Sequence, residues 1–307
     1  MTRYLVTGGC GFIGSSLADA LVAGGGEVRV LDDLSSGHRE NCPARAELMV
    51  GSVADPAALA AAMHGVDACF HLAARVSVPL CSEDWTGSHK VNLTGTIGVL
   101  DQARKDRIPV VYASSAAVYG DLSTPPLAET SPVAPRSAYG ADKLGCELHA
   151  AVARQSFGVP TLGLRFFNVY GPRQDGGSPY SGVVSAFCDR LAAGRRLRID
   201  GDGGQTRDLV FVGDVVRALL AGLQRIGAAP PVLNVCTGHS VSVLQLARAI
   251  GRVLGCTPAF EFAPPRIGDI RDSRGDPALL HASLGVRMNT DLGDGLRETL
   301  ALSQMAA

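Results

Sequence analysis

Short apolar runs alternate with longer amphipathic stretches through the first half of the chain. The apolar runs have the length of buried strands, and the stretches between them repeat apolar residues at helical spacing. They predict strands at 3–7, 27–31, 46–50, 67–72, 108–114 and 161–166, and helices at 11–24, 55–63, 86–106 and 137–157. Because strands that alternate with helices form parallel sheets covered on both faces, we predict an α/β fold with a doubly wound parallel sheet.

The regular alternation weakens after residue 170. Residues 168–208 are richer in glycine, proline and arginine, and their pattern predicts a helix near 181–193. Further along, the pattern predicts a strand at 209–212, a helix at 214–223, a strand at 232–236, a helix at 243–254 and a loop-rich tail. We therefore expect a first domain over 1–170, to which segments near 208–224 and 231–237 return, and a smaller interleaved C-terminal domain over 171–307.

A glycine-rich turn follows the first predicted strand. Gly8, Gly11 and Gly14 lie between that strand and an amphipathic helix, and Phe12 and Ile13 belong to the same motif. Glycine lets such a turn tighten and lets a pyrophosphate approach the backbone, where the N–H groups of the helix N-terminus can bind it. The motif therefore predicts a Rossmann-type site for a dinucleotide in the first domain.

An acidic residue at the end of the second strand indicates which dinucleotide binds. Asp32 lies 18 residues beyond Gly14. A carboxylate at this point can accept hydrogen bonds from both ribose hydroxyls of NAD, and it repels the 2′-phosphate of NADP. Asp33 follows where an NADP enzyme would often have a basic residue. Arg39 is nearby, so NADP is disfavoured rather than excluded, and we predict NAD.

Three side chains in the middle of the chain predict chemistry at a C–O–H group. Tyr139 and Lys143 are four residues apart on a predicted helix, which places them on one face. A free tyrosine titrates at about pH 10 and is a poor base at neutral pH, but a neighbouring ammonium group favours the phenolate. Ser115 ends a predicted strand and can bridge a sugar hydroxyl to Tyr139.

The charge balance and the cysteine spacing narrow the functional class. The chain has 28 basic and 29 acidic side chains, which gives no reason to expect a nucleic acid or an anionic membrane as partner. It opens directly into the first strand and has no apolar run long enough to span a membrane, so we expect a cytoplasmic protein. Eight scattered cysteines without a C-x-x-C pair predict free thiols, and we expect no metal site.

Several blocks, in order along nearly the whole chain, resemble one enzyme family. They include Val6-Thr7-Gly8-Gly9, His71-Leu72-Ala73-Ala74, Arg165-Phe166-Phe167-Asn168-Val169-Tyr170-Gly171, Gln205-Thr206-Arg207-Asp208 and Pro265-Arg266-Ile267-Gly268-Asp269-Ile270. On these blocks the chain resembles the extended short-chain dehydrogenases/reductases of the NAD-dependent nucleotide-sugar epimerase group. Its motifs are most similar to those of bacterial UDP-GlcNAc and UDP-glucose 4-epimerases. The resemblance implies a UDP-sugar substrate and a homodimer formed through a four-helix bundle.

The resemblance also assigns roles around the cofactor. It implies that Tyr139 is the catalytic base, that Lys143 is its electrostatic partner and a ligand of the nicotinamide ribose, and that Ser115 is the hydroxyl bridge. Further cofactor-binding positions are Ser52, Val53, Ala73 and Asn92. Epimerases usually have Asp where this chain has Ser52, so the contact to the adenine amino group is weaker or lost. We interpret Asn92 chiefly as a residue that holds the active-site backbone, and His71 as a packed core residue.

On the substrate side, the resemblance implies ligands for both halves of a UDP-sugar. The positions are Ser77, Ser115, Tyr139, Asn168, Arg207, Arg266, Asp269 and Ser273. Among them Asn168, Arg207 and Arg266 would hold the diphosphate, and Asp269 would hold the uridine ribose. These residue types fit, because arginine forks suit a diphosphate and a carboxylate suits a diol.

The residues next to Ser115 indicate which reaction the site performs. By the resemblance, oxidation of the sugar at C4 gives a transient 4-keto intermediate, and return of the same hydride to its other face inverts C4. Nucleotide-sugar 4,6-dehydratases share the first step but also need an acid and a base, usually carboxylates, where this chain has Ala116 and Ala117. Related decarboxylases also tend to have Glu there. The sequence therefore favours a 4-epimerase.

The residue four positions beyond Asp269 indicates the size of the sugar. In related 4-epimerases a bulky tyrosine there restricts the pocket to unsubstituted hexoses, whereas Ser273 leaves room for a 2-acetamido group. We expect interconversion of UDP-GlcNAc and UDP-GalNAc, with UDP-Glc and UDP-Gal also accepted. A uronic acid is an alternative substrate, because Arg75 or Arg271 could meet its C6 carboxylate.

Two other classes of protein share this fold. An NADPH-dependent 4-keto-sugar reductase would have the same tyrosine and lysine, but Asp32 and Asp33 disfavour NADPH. A non-catalytic dinucleotide sensor would typically have lost one of the two side chains. Because Tyr139 and Lys143 are both present, the sequence favours an enzyme.

Overall fold

The computed structural model describes residues 1–121, 125–175, 182–265 and 270–305 of the chain, so the predicted ligands Arg266 and Asp269 lie outside the described residues. The described strands, in chain order, are β1 (Arg3–Thr7), β2 (Glu27–Asp32), β3 (Glu47–Val50), β4 (Ala68–His71), β5 (Val110–Ser115), β6 (Thr161–Phe166), β7 (Asn168–Tyr170), β8 (Leu197–Asp200), β9 (Thr206–Phe211), β10 (Val232–Val235), β11 (Ser240–Ser242) and β12 (Phe260–Ala263).

Helices separate most of these strands. They are α1 (Phe12–Ala23), α2 (Pro56–Met63), α3 (Val78–Glu83), α4 (Trp85–His89), α5 (Gly95–Asp106), α6 (Ala138–Phe157), α7 (Val183–Ala192), α8 (Val212–Arg225), α9 (Val243–Leu254), α10 (Ala278–Leu284) and α11 (Leu292–Met305). Short 3₁₀ helices span Arg39–Asn41 and Ala116–Tyr119, and a π-helical turn spans Lys90–Thr94.

Seven parallel strands form the main sheet in the order β10-β6-β5-β4-β1-β2-β3, which confirms the predicted doubly wound arrangement. Successive residues of β1 point to opposite faces. Leu5 belongs to a core with residues of α2, α5 and α6, whereas Val6 belongs to a core with residues of α1, α8 and α10. Both faces of the sheet are therefore covered, as the apolar strands require.

A third core lies between α7, α9 and α11 and two small sheets, one of β11, β9 and β7 and one of β12 and β8. The sequence pattern did not predict β7, β8, β11 or β12, because their short sequences, NVY, LRID, SVS and FEFA, mix polar and apolar residues and form no apolar run. The prediction of a loop-rich tail was wrong. Leu280 and Leu284 anchor α10 in the core with α8, and Leu296 and Leu300 anchor α11 in the third core.

The two parts of the molecule interleave. Strand β10 returns to the main sheet and pairs with β6. Strand β9 lies in the small sheet, while the helix that follows it, α8, covers the main sheet. Helix α10 packs against α8 and β10, although 278–284 falls within the range predicted for the smaller domain. Across the described ranges, no helix is both long and apolar enough to cross a membrane.

The predicted helix at 86–106 is interrupted. It consists of α4, the π-helical turn and α5, and α3 precedes it. A π turn inserts one residue into the helical ladder and is frequent at functional sites. Here it contains Asn92, whose side chain is buried and turned toward the loop after β4.

Helix α6 has a clear signal at each end. Its N-terminus is capped by Ser137, whose Oγ accepts a hydrogen bond from the Gly140 N–H at 3.1 Å. Gly158 follows the last helical residue as the C-cap; it has a φ of +67° and so adopts the left-handed conformation that ends many helices. The cap fixes where the helix begins, and it thereby places Tyr139 in the first turn.

Candidate active site

The residues predicted for the cofactor and for catalysis lie at the carboxyl edge of the main sheet. The chain order of the strands reverses between β1 and β4, and ligands of doubly wound folds bind at such a switch point. The glycine-rich turn follows β1, Asp32 ends β2, Ala73 follows β4 and Ser115 ends β5. Four segments that are distant in sequence therefore share one crevice.

Two glycines of the turn are required by close backbone contacts. Gly8 has a φ of +70°, and a Cβ at this position would lie 2.8 Å from the Cα and N of Ala73. A Cβ on Gly14 would lie 2.0 Å from the carbonyl oxygen of Gly8. Helix α1 begins beside this turn with Gly11 as an N-cap that has no side-chain hydrogen bond and with no acidic residue in its first turn. The turn thus has the shape and the helix dipole that fit a dinucleotide pyrophosphate.

Asp32 is buried beside the turn. Its two carboxylate oxygens accept hydrogen bonds from the backbone N–H groups of Cys10 and Leu34, both at 2.9 Å. These contacts fix the carboxylate, and a carboxylate with two acceptor oxygens can still receive the hydroxyls of a ribose. Asp33 is exposed, and its Oδ1 accepts from the N–H and hydroxyl of Ser35. An acidic edge is present, which fits NAD.

Ser52 and Val53, which are predicted to contact the cofactor, lie in the loop after β3. The Oγ of Ser52 accepts a hydrogen bond from the Ala54 N–H at 3.2 Å, so the hydroxyl closes its own turn. Val53 is buried, and a Cβ on Gly95 would lie 2.8 Å from its Cγ2. Val53 therefore joins the loop after β3 to the beginning of α5.

Tyr139 and Lys143 lie on one face of α6, above the end of β5. The Lys143 Nζ is 5.8 Å from the centroid of the Tyr139 ring and donates a 2.8 Å hydrogen bond to the carbonyl oxygen of Ala113. Lys143 is buried, whereas Tyr139 is half-buried. A Cβ on Gly140 would lie 2.7 Å from the carbonyl oxygen of Ala117, so α6 approaches closely to the segment that follows Ser115.

Ser115 is half-buried at the end of β5 and caps the 3₁₀ helix that follows. Its Oγ accepts a hydrogen bond from the Ala117 N–H at 3.1 Å. The hydroxyl proton is not used in this bond, so Ser115 can donate to a ligand oxygen. Ala116 and Ala117 occupy the first turn of that helix and are both half-buried.

The residues predicted for the substrate lie on separate elements. Asn168 is exposed at the start of β7 and pairs in register with Leu209, two residues beyond Arg207. Arg207 donates 2.7 Å hydrogen bonds to the carbonyl oxygens of Thr206 and Ile270. Ser273 is half-buried and lies shortly after Ile270, whose carbonyl oxygen accepts from Arg207. Ser77 caps α3 by accepting from Leu80 at 3.2 Å.

Both arginines considered for a uronic acid have carboxylate partners. Arg75 contacts Asp84 at 2.5 Å, and Arg271 contacts both oxygens of Asp202 at 2.7 and 3.0 Å. The guanidinium of Arg271 lowers the pKa of the Asp202 carboxyl to about 2 through these hydrogen bonds.

Asn92 forms a reciprocal pair with a backbone segment. Its Oδ1 accepts from the Arg75 N–H at 2.8 Å, and its Nδ2 donates to the Arg75 carbonyl at 3.1 Å. The side chain of Asn92 therefore satisfies the chain after β4 as a neighbouring strand would.

The sequence analysis did not predict a buried polar cluster that lies between α6 and the strands β5 and β6. Glu147 and Arg165 form two hydrogen bonds of 2.8 and 2.7 Å, and Ser114 donates to Glu147 at 2.5 Å. Arg165 also contacts the Tyr119 hydroxyl at 2.9 Å. Glu147 lies one turn beyond Lys143, and Ser114 precedes Ser115, so the cluster joins α6 to β5 and β6. The sequence signal that could have revealed this cluster is a charged residue within each of two largely apolar stretches, Glu147 in α6 and Arg165 in β6.

The interpretation of His71 as a packing residue was incomplete. The side chain is buried, but Nδ1 lies 2.7 Å from the Thr7 hydroxyl and Nε2 lies 2.9 Å from the Thr96 hydroxyl. Burial lowers the pKa of His71 from its ordinary value to about 3, and the positive charge of Lys143 contributes to this shift. The imidazole is therefore neutral at physiological pH.

Known proteins resemble the chain over nearly its full length. The model of the NAD-dependent epimerase/dehydratase family matches residues 4–236. A UDP-glucose 4-epimerase of Mycolicibacterium smegmatis is 38% identical, over 97% of each chain. The solved structure of a UDP-N-acetylglucosamine 4-epimerase of Methanobrevibacter ruminantium, in complex with UDP-N-acetylmuramic acid, has a TM-score of 0.95 at 32% identity and covers 100% of this chain and 99% of its own.

A further solved structure contains the cofactor. The UDP-glucose 4-epimerase of Thermus thermophilus, in complex with NAD, has a TM-score of 0.91 at 35% identity over 100% of both chains. Because the similarity to this structure covers the whole chain, it includes the glycine-rich turn, helix α6 and the small sheets. On its sequence blocks, its fold and the family model together, this chain belongs to the NAD-dependent epimerase/dehydratase family.

Proposed function

We propose that this protein is an NAD-dependent 4-epimerase of UDP-hexoses. The observation that carries the proposal is the close approach of α6 to the end of β5: Lys143 is bonded to the Ala113 carbonyl, Gly140 lies against Ala117, and alanine occupies positions 116 and 117. Such a site can remove and return the proton of a sugar hydroxyl. It lacks side chains next to Ser115 that could transfer a proton at a neighbouring carbon.

In the proposed reaction, Tyr139 takes the proton of the sugar 4-hydroxyl, and Ser115 donates a hydrogen bond to the same oxygen. The ammonium group of Lys143 stabilises the phenolate electrostatically, and its bond to Ala113 keeps it in place. The glycine-rich turn and Asp32 would hold NAD, which would supply the acceptor for the C4 hydride and its return. After the 4-keto sugar has turned, Tyr139 gives the proton back to the oxygen, so no net oxidation occurs.

The two alanines distinguish this proposal from a dehydratase or a decarboxylase. Elimination across C5 and C6 requires an acid and a base near those carbons, and general acid–base groups contribute a factor of about 10² to 10⁴ in rate. The methyl side chains of Ala116 and Ala117 can act neither as an acid nor as a base. An epimerase needs no second proton-transfer pair.

We propose that the enzyme accepts UDP-GlcNAc and UDP-GalNAc as well as UDP-Glc and UDP-Gal. The small, half-buried side chain of Ser273 supports room for an acetamido group. A uronic acid stays the alternative substrate, because the ion pairs of Arg75 with Asp84 and of Arg271 with Asp202 are exposed and weak, and a sugar carboxylate could replace either partner. Asn168 and Arg207, at one end of neighbouring strands, support a diphosphate site.

We also propose that two copies of the chain pair through α5 and α6. Leu148 and Val152 are 63% and 49% exposed, and they lie four residues apart on the outer face of α6. Phe157 and Ile97 are further exposed apolar residues on these two helices. A four-helix homodimer would cover this apolar face.

We propose a cytoplasmic location for the enzyme. All eight cysteines are free, which supports a reducing compartment.

NMR of the sugar signals tests the function directly. The purified protein is incubated with UDP-GlcNAc or UDP-Glc, with and without added NAD. We expect the 4-epimer of both sugars without accumulation of NADH. A 4-keto-6-deoxy product would show that the interpretation of Ala116 and Ala117 is wrong, and conversion of UDP-glucuronate alone would overturn the substrate assignment.

A further inference from the structure

Two cysteines from different parts of the chain meet at the glycine-rich turn. Cys10 lies within the turn and is fully buried, whereas Cys42 follows the 3₁₀ helix Arg39–Asn41 and is half-buried. Their thiols form a hydrogen bond with each other. The fold therefore places two oxidisable groups in contact beside the predicted dinucleotide site.

The segment 37–42, which follows β2, is packed tightly against the turn. The carbonyl oxygen of Cys10 accepts a hydrogen bond from the His38 N–H at 3.1 Å. A Cβ on Gly37 would lie 2.9 Å from the Cβ of Cys10 and 2.9 Å from Oδ1 of Asp32. The backbone N–H of Cys10 donates to Oδ2 of the same carboxylate at 2.9 Å. The segment, the turn and the predicted ribose ligand therefore form one closely packed unit.

The two thiols differ in exposure and in acidity. Burial raises the pKa of both, and it raises the pKa of Cys10 to about 12. The hydrogen bond between them lowers the pKa of Cys42 and raises that of Cys10, so Cys10 is the donor and stabilises a Cys42 thiolate. Cys42 is also the thiol that solvent can reach. Cys42 is therefore the thiol that reacts first with a small oxidant, and Cys10 is the neighbour that can react with the product.

We propose that Cys10 and Cys42 form a reversible disulfide that weakens the binding of NAD. With hydrogen peroxide as the oxidant, the Cys42 thiolate attacks one oxygen, the O–O bond breaks, and a sulfenic acid and one water form. The Cys10 sulfur then attacks the Cys42 sulfur, the S–O bond breaks, and the Cys10 proton leaves with the oxygen as a second water. Two thiols and one peroxide thus give one disulfide and two waters, and a dithiol reductant restores both thiols.

The disulfide would change the shape of the NAD site. Bonded sulfur atoms are only about 2.0 Å apart, so the bond draws segment 37–42 closer to the turn. The backbone of Cys10, Gly37 and Asp32 are already in contact, and a closer approach must displace the turn or the carboxylate. The turn is the predicted pyrophosphate site and Asp32 the predicted ribose ligand. Either displacement lowers NAD affinity, which suits a transient sensing disulfide of a reducing compartment.

Peroxide treatment of nucleotide-free full-length protein tests the proposal. Cys256 is exposed, so the starting variant is Cys256→Ser, which removes a thiol that is open to reaction between molecules. We expect a cross-linked peptide pair that contains Cys10 and Cys42. The Kd for NAD, measured by calorimetry, should rise on the order of tenfold and return to its starting value after dithiothreitol. Cys42→Ser in the same background is the matched control, and peroxide should leave its Kd unchanged.

Reciprocity between the two equilibria gives a second measurement. If the disulfide weakens NAD binding tenfold, saturating NAD favours the reduced thiols tenfold, which raises the reduction potential of the pair by about 30 mV. Titration in dithiothreitol redox buffers, followed by alkylation and mass spectrometry, measures this shift.

Two results would overturn the inference: no cross-link between Cys10 and Cys42, or a disulfide form that binds NAD as tightly as the reduced protein. The inference is independent of which sugar is the substrate. Reduced protein that binds NAD but does not epimerise a UDP-sugar would overturn the proposed function and leave this inference intact.

Discussion

Two charged side chains of this site, Lys143 and Asp32, are held by hydrogen bonds to backbone groups. Lys143 is 3% exposed, and its ammonium group is bound to the Ala113 carbonyl two residues before Ser115. The ammonium group of Lys143 is therefore held in one position beside the Tyr139 ring and is largely shielded from solvent. Asp32 is held in the same way by the N–H groups of Cys10 and Leu34. Such preorganisation lets the side chains act without rearrangement during the reaction.

Removal of one hydroxyl tests the role of Tyr139. We expect Tyr139→Phe to lose turnover by a factor of about 10² to 10⁴, because the phenol oxygen is the proposed proton acceptor. Its NAD affinity and unfolding midpoint should stay close to the wild-type values. Tyr4→Phe is the matched control, since Tyr4 packs against Phe70 in the core. Near-normal epimerisation by Tyr139→Phe would rule out the proposed mechanism.

The neutral state of His71 predicts a pH dependence of stability. Burial lowers its pKa in the folded protein to about 3, below the value of about 6.5 in an unfolded chain. The stability that comes from the neutral imidazole is therefore fully present above about pH 6.5 and is lost progressively as the pH falls toward 3. Each pH unit in this range removes about 1.4 kcal/mol from the free energy of unfolding.

Urea unfolding of the nucleotide-free protein at pH 7.5 and pH 5 checks this expectation. The wild type should lose on the order of 2 kcal/mol more than His71→Asn between these two values. Parallel changes in the two proteins would show that another group controls the acid sensitivity.

At the scale of secondary-structure elements, helix α6 is held in place by a buried polar cluster as well as by apolar packing. Glu147, Arg165 and Ser114 come from α6, β6 and β5 and meet in the core beside the active-site face. Both charged side chains are 7% exposed. A buried ion pair adds little net stability, but it penalises any shift of the helix that would separate the charges. The cluster therefore specifies the register of α6 against the sheet.

Glu147→Gln should be strongly destabilising, because it leaves the Arg165 guanidinium buried without a counter-charge. We expect a loss of about 3–5 kcal/mol in the free energy of unfolding. Glu27→Gln is the matched control: it disrupts the surface pair with Arg3, whose side chains are 42% and 46% exposed. This change should cost less than about 1 kcal/mol. Equal effects in a urea titration would contradict the assignment of a structural role to the cluster.

At the scale of the whole molecule, the interleaving of the chain ties the two parts together. Helix α8 lies on the main sheet and follows β9 of the small sheet, while β10 pairs with β6. Asp208 on β9 reinforces this connection: its carboxylate accepts hydrogen bonds from Thr237, Gly238 and Gly275. The crevice is therefore bounded by elements that cannot separate without breaking buried contacts.

The proposed homodimer predicts that one substitution on α6 changes the mass in solution. Leu148→Glu should give a monomer by light scattering, because a charge would be buried at the centre of the proposed interface. Phe262→Glu is the control, since Phe262 is 59% exposed on β12, outside α5 and α6. A wild-type protein that is already monomeric at micromolar concentration would contradict the proposal.

The sequence was sufficient to predict the main sheet, its covering helices and the dinucleotide turn. These features depend on local rules: apolar runs with strand length, helical periodicity and glycines in a turn. The spacing of Tyr139 and Lys143 predicted chemistry at a C–O–H group, and the family resemblance extended the prediction to their roles and to the substrate ligands. The short strands of the small sheets were missed because their sequences form no apolar run and their pairing depends on contacts between distant segments.

What only the tertiary structure decided is which polar side chains meet. Thr7, His71 and Thr96 are separated by 64 and 25 residues, yet the order of β1, β4 and the π-helical turn makes them neighbours. Periodicity along a chain reports which face of an element is buried, whereas hydrogen-bond partners are set by the order of strands in the sheet. The sequence alone therefore determined the fold class and predicted the catalytic residues, and the packed structure determined which buried hydrogen bonds join the strands to the π-helical turn.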